Sequence, residues 1–144
     1  MPTLLVVDDD PEVLYSMERS LNSDSLRVVA ASTAQEGIAL VRDRRPDAVV
    51  LDVRLPDMSG LDAVDAIQQI DAHLPIIVIT AFAATDTAIE AMKRGAFEYL
   101  LKPVDLQQLR DTVAQAVNLS RLRHVPAVFE ETSPAENVDR IVGR

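Results

Sequence analysis

The sequence has no cysteine and no tryptophan, and aromatic residues make up 3% of its 144 positions. Without cysteine there can be no disulfide, no thiolate metal ligand and no cysteine nucleophile. Two Tyr and three Phe are too few for a platform on which nucleic-acid bases stack. Positive charge is also scarce. Fourteen Lys and Arg stand against 23 Asp and Glu, a formal net charge of −9. A chain with that deficit is not expected to bind nucleic acid or an anionic membrane directly, because both need a phosphate-neutralising surface. No apolar run approaches the roughly 20 residues of a membrane-spanning helix. Met1-Pro2-Thr3 does not open a basic, then apolar, secretory leader, so a cytoplasmic location is expected. Internal repeats and low-complexity tracts are missing too. What the chain does have is 48% hydrophobic residues, enough for an ordinary core in a chain of single-domain size.

Those hydrophobic residues fall into short runs that alternate with amphipathic segments. Leu4-Leu5-Val6-Val7 reads as a strand buried on both faces, and Leu26 to Ala31, Ala48-Val49-Val50-Leu51-Asp52, Pro75 to Thr80 and Phe97 to Leu101 read as further strands. Between and after them lie helical stripes. Val13, Leu14, Met17 and Leu21 form the first, with Asp10 as N-cap and Pro11 in the first turn. Ile38, Leu40 and Val41 belong to a second, which Ser32 and Gln35 are expected to open as a capping box. Leu61, Val64, Ile67 and Ile70 mark a third, and a fourth runs from about Ala84 to Gly95. Leu106, Leu109, Val113, Ala116 and Val117 mark the fifth, starting near Asp105. Five strands alternating with five helices predict an α/β fold, a parallel sheet covered on both faces. After about Leu122 the apolar period stops, so residues 123–144 read as linker or tail.

In an open parallel sheet, ligands bind beyond the carboxyl ends of the strands. Here those ends carry Asp8 and Asp9, Asp52, Thr80 and Lys102. Three carboxylates in one crevice repel one another and need a cation. Lys102 supplies one charge. A hard divalent ion such as Mg²⁺, which prefers carboxylates, waters and phosphate oxygens, would supply the rest. A carboxylate can attack phosphorus to form an acyl phosphate, and Asp52, on the central third strand, is the best-placed nucleophile. Several other residues read as ordinary surface or core. Asp57 is taken as loop chemistry, Asp62 as helix-start charge, and Arg42, Arg44 and Arg45 as complement to a helix end. His73 and His124 have no metal-spaced partner and receive no role.

Four segments together resemble the receiver domain of a two-component response regulator over residues 3 to about 121. They are Leu5-Val6-Val7-Asp8-Asp9-Asp10, Val50 to Gly60 around Asp52 and Pro56, Val78-Ile79-Thr80-Ala81, and Gly95 to Pro103. The resemblance implies a flavodoxin-like (CheY-like) fold with strand order 2-1-3-4-5. It implies that Asp52 accepts a phosphoryl group from a sensor histidine kinase. Asp9, Asp52 and the Arg54 backbone carbonyl would ligate Mg²⁺, with Asp8 acting through water. Lys102 would pair with the phosphoryl group and precede a cis Pro103. Thr80 and Tyr99 would act as switch residues, changing the face of the fourth helix, fifth strand and fifth helix, through which a homodimer is expected. Arg54 and Phe82, each two residues beyond a site residue, are expected to hinder attacking water.

The segment Asn137 to Arg144 resembles the opening of the AAA+ domain in NtrC-type, sigma-54-dependent activators. It implies a receiver at residues 1–122 and a connection at 123–144 to an output domain outside this chain. Two alternatives remain. One is a stand-alone receiver that docks a protein partner. The other is an Mg²⁺-dependent phosphatase of the haloacid-dehalogenase class, which would need a second Asp where Arg54 stands.

Overall fold

The computed structural model describes residues 1–81 and 85–123. Phe82, His124 and the segment Asn137 to Arg144 lie outside the described residues. Among the described residues ten elements alternate: β1 (Thr3–Val7), α1 (Pro11–Leu21), β2 (Arg27–Ala31), α2 (Ala34–Arg44), β3 (Ala48–Asp52), α3 (Gly60–Ile70), β4 (Ile76–Thr80), α4 (Thr85–Lys93), β5 (Glu98–Leu101) and α5 (Leu106–Arg123). All strand pairs are parallel and the order is β2-β1-β3-β4-β5. This is the flavodoxin-like arrangement expected from the sequence, with β3 in the middle.

Strand side chains alternate between two faces, and the alternation splits the core in two. Leu4, Val6, Ala48, Val50, Ile77, Ile79 and Leu100 pack with Met17 and Leu21 of α1 and with Leu109, Val113 and Ala116 of α5. Leu5, Val7, Val49, Leu51, Ile76 and Val78 pack with Val41 of α2, Val64 and Ile67 of α3 and Ala91 of α4. Every residue of β3 and β4 is buried. Full burial of each large aliphatic side chain contributes about 1.5–3 kcal/mol, which explains why these strands are continuous apolar runs rather than alternating ones.

Parity has a direct consequence for the polar residues at the strand ends. In register, Leu5 pairs with Val49 and Val50 with Ile77, so residues paired across neighbouring strands share a face of the sheet. Asp8 and Asp52 continue the series Leu4-Val6 and Ala48-Val50, and Lys102 follows Leu100, all on the α1/α5 side. Thr80 continues the series Ile76-Val78 and Tyr99 pairs with Val78, so both belong to the other side, which α4 helps to cover.

Some boundaries differ from the sequence reading. β2 starts at Arg27 and β5 at Glu98. The capping box of α2 is shifted by one residue. Thr33, not Ser32, is the N-cap and accepts from the Glu36 N–H at 3.1 Å, while Glu36 Oε1 accepts from the Ser32 N–H at 2.9 Å. Ser32-x-x-Gln35 and Thr33-x-x-Glu36 are both acceptable boxes, and the position where β2 ends selects the second. Asp10 caps α1, accepting from the Glu12 N–H at 2.9 Å. Gly95 closes α4 at φ +101°, a conformation that disfavours side chains.

The remaining donors of α2 are met from far away. Asp57, in the loop after β3, accepts from the Ala34 N–H at 2.9 Å and the Gln35 N–H at 2.8 Å. With Thr33 this satisfies three successive free N–H groups at the helix start. The two backbone donors hold the Asp57 carboxyl below the usual carboxylate range. A depressed folded-state value contributes stability above the unfolded-state value and loses it as pH falls through the folded one. Asp57→Ala is therefore expected to lower the Tm by about 2–6 °C at neutral pH. The difference from wild type should shrink as pH drops below 4 in a series of thermal melts.

Candidate phosphoryl and metal site

The ends of β1, β3 and β5 are each extended by one further hydrogen bond that aims the next residue. The Asp8 N–H donates to the Ala31 carbonyl at 3.1 Å, the Val53 N–H to Ile79 at 2.9 Å, and the Lys102 N–H to Thr80 at 2.8 Å. Past β1 the three consecutive acids then diverge. Asp8 is buried, and its Oδ1 accepts from the Asp10 N–H at 2.9 Å, a turn that frees Asp10 to cap α1. Asp9 is exposed at the rim.

Asp8 and Asp52 are 2% and 6% exposed, too buried to count as solvated surface charges. Lys102 Nζ lies between them, 3.2 Å from Asp8 Oδ2 and 3.0 Å from Asp52 Oδ2. The other oxygen of Asp52 accepts from the Arg54 N–H at 3.1 Å. Carboxylate oxygens of Asp8, Asp9 and Asp52 lie within 4.8 Å of one another. Burial pushes the Asp8 carboxyl up. The Asp10 N–H opposes that shift, the Asp52 charge adds to it and Lys102 offsets part of it. For Lys102, burial disfavours the charge, but the Asp52 hydrogen bond and the charges of Asp52 and Asp8 outweigh it, so the ammonium is held above its ordinary value. One ammonium thus serves two buried carboxylates, with a third at the rim. The surplus is negative, and the donors are all hard oxygens, a set suited to Mg²⁺.

Thr80 is 3% exposed at the end of β4. Tyr99, paired in register with Val78, is 38% exposed and borders Ala88, Ile89 and Met92 of α4. The Lys102–Pro103 peptide is cis. The Arg54 side chain is exposed.

The loop from β3 to α3 is closed at its base. The Gly60 N–H donates to the Val53 carbonyl at 2.7 Å, and Arg54 and Ser59 form an antiparallel bridge. A Cβ on Gly60 would lie 2.6 Å from both the Asp52 oxygen and the Val53 Cα. No side chain fits there, because both contacts are backbone.

The family assignment follows from these strand ends in order. The family described as "Response regulator receiver domain" matches residues 4–114. The chain belongs to that family. The receiver is 42% identical over 139 residues to the response regulator protein PilR of Pseudomonas aeruginosa, covering 96% of this chain and 29% of PilR. A receiver domain structure from Clostridium thermocellum is similar at a TM-score of 0.80 and 35% identity, covering 85% of this chain and 99% of that one. The structure of NtrX from Brucella abortus in complex with ATP matches at a TM-score of 0.78 and 28% identity, over 85% of this chain and 28% of that one. The receiver therefore spans less than a third of the length of PilR and NtrX.

Two residues carry more than the sequence reading assigned them. Asp57 is the distant cap of α2 described above. Asp62 is not only a helix-start charge. With Asp65 of α3 and Glu90 of α4 it holds Arg94, at 3.2, 3.0 and 3.0 Å. No local pattern signals either contact, since the partners lie 22 to 32 positions apart.

Lys102→Met would leave Asp8 and Asp52 facing each other without the ammonium. The expected loss is about 1–3 kcal/mol at neutral pH, below the fully buried range because Lys102 is partly solvated. Asp8→Asn in the Lys102→Met background should recover part of it, as measured by urea denaturation.

Proposed function

We propose that this receiver is a phosphorylation-activated signalling switch. Asp52 takes a phosphoryl group from a phosphohistidine of a sensor kinase. The observation that carries this reading is the ammonium of Lys102 held between buried Asp8 and Asp52, with Asp9 at the rim. A carboxylate oxygen of Asp52 forms the new bond to phosphorus as the phosphorus–nitrogen bond breaks. The imidazole nitrogen keeps the electron pair, and Asp52 becomes an acyl phosphate. Asp9, Asp52 and the Arg54 backbone carbonyl would hold Mg²⁺ directly, with Asp8 acting through water. When bound, the ion neutralises the charge that phosphoryl oxygens add to three carboxylates.

Lys102 then serves the incoming oxygens, exchanging its bond to Asp52 for one to the phosphoryl group. Thr80, at the end of the neighbouring strand, offers its hydroxyl to another oxygen. Thr80 and Tyr99 share the α4 side of the sheet, so a Thr80 drawn toward the phosphoryl group vacates space behind it for Tyr99. The added charge biases two packings of one face. That face exposes Ile89, Met92, Tyr99, Leu101 and Leu119, an apolar surface suited to a homodimer. In this reading the receiver is not itself a turnover enzyme, and it works in the cytoplasm. Residues 1–122 form the receiver and 123–144 lead to an output domain, an AAA+ activator of sigma-54-dependent transcription. The similarity to NtrX, whose structure is an ATP complex, supports that output.

The test is labelling with a phosphoryl donor and Mg²⁺, alongside light scattering with beryllofluoride, on wild type and Asp52→Asn. Wild type should take up about one phosphoryl group and change its oligomeric state, and Asp52→Asn should do neither. Stoichiometric labelling of Asp52→Asn would overturn the assignment.

A further inference from the structure

We infer that Asp57 is a positioning residue for the site, holding the backbone that faces Asp52 by gripping the start of α2 with both carboxylate oxygens. This rests on the metal and phosphoryl reading above and adds a residue outside the ligand set. A cap that served only its helix would need no particular relation to the site. Asp57 instead closes a ring around it. From Asp52 the ring runs to the Arg54 N–H at 3.1 Å, then along the loop to Asp57. It crosses to the Ala34 and Gln35 N–H groups at 2.9 and 2.8 Å. It continues back through Thr33 and Ser32 to Ala31, whose carbonyl accepts from the Asp8 N–H at 3.1 Å. Lys102 closes it between Asp8 and Asp52.

The other contacts of the loop do not replace this grip. Its base is tied by the Arg54–Ser59 bridge and the Gly60 N–H, which leave residues 55–58 as a protruding tip. Leu55 and Met58 pack against the α2/α3 core. Such apolar contacts hold the tip down but have no direction. The two hydrogen bonds of Asp57 are directional and charge-assisted. They fix where the tip sits between the two strand ends that carry the carboxylates. The lowered titration of Asp57 agrees with a carboxylate that is engaged although solvent reaches it. Outer residues that orient ligands are typically worth 10- to 100-fold in metal affinity.

The experiment compares Asp57→Ala with Thr33→Ala, which removes the cap of the same helix end without cutting the ring. Mg²⁺ affinity is read by calorimetric titration of the full chain, and stability by thermal melts. Asp57→Ala should weaken Mg²⁺ binding about 10-fold and slow labelling by a small-molecule phosphoryl donor. Thr33→Ala should lower the Tm to a similar degree and leave Mg²⁺ affinity within about 2-fold. Asp57→Asn, which keeps one acceptor oxygen, should fall between and covers the case in which Asp57→Ala does not fold. Unchanged Mg²⁺ affinity in the Asp57 variants, or an equal loss in Thr33→Ala, overturns the inference while leaving the site reading intact. Wild type that binds Mg²⁺ no better than Asp52→Asn overturns both.

Discussion

Two buried carboxylates share one ammonium at the centre of the sheet edge, and the surrounding design follows from that shortage of positive charge. Asp8 and Asp52 are held by β1 and β3, adjacent strands at the middle of a five-stranded sheet. Lys102 reaches them from beyond β5, across the width of β4, and bonds to both. Taking carboxylates out of water is costly unless charge and hydrogen bonds compensate. One lysine and two backbone N–H groups, those of Asp10 and Arg54, provide the compensation for Asp8 and Asp52 seen in this state. A site left short of positive charge, with carboxylate oxygens of Asp8, Asp9 and Asp52 close together, is suited to a divalent ion.

That imbalance is tolerable because the sheet beneath is rigid. β3 and β4 are buried along their whole length, and the helices cover both faces with aliphatic side chains. The strand ends therefore act as fixed mounts for the residues they carry. The loop after β3 is tied at its base and gripped at its tip. Its tightness near Gly60 leaves no room for a side chain.

The alternation of strand side chains places the polar strand-end residues on two different faces. Asp8, Asp52 and Lys102 belong to the α1/α5 face, while Thr80 and Tyr99 belong to the α4 face. The two groups meet at the sheet edge, where the Thr80 carbonyl accepts from the Lys102 N–H. Tyr99 sits half-way between core and solvent beside the exposed Ile89 and Met92. The far end of α4 is moored to α3 by Arg94 and by Gln68, which donates to the Gly95 carbonyl at 3.1 Å. A helix moored at one end and apolar on its free face is suited to pivot with small energy differences.

The order of strands and helices, the burial of the central strands and the acids at their ends were all legible in the chain. They follow from periodicity and from turn chemistry, which act over a few residues. The family resemblance rested on the same local segments. The division of labour within Asp8-Asp9-Asp10 was only partly legible: Asp10 could be read as a cap, but which neighbour would be buried depends on the parity and twist of β1. The one-residue shift from Ser32 to Thr33 was decided by where β2 stops pairing with β1. The grip of Asp57 on α2 and the mooring of Arg94 were not legible at all. Contacts across 22 to 32 positions depend on strand register and on how each helix is rotated about its axis. Those are set when the two faces of the sheet pack, and no local stretch of sequence contains them.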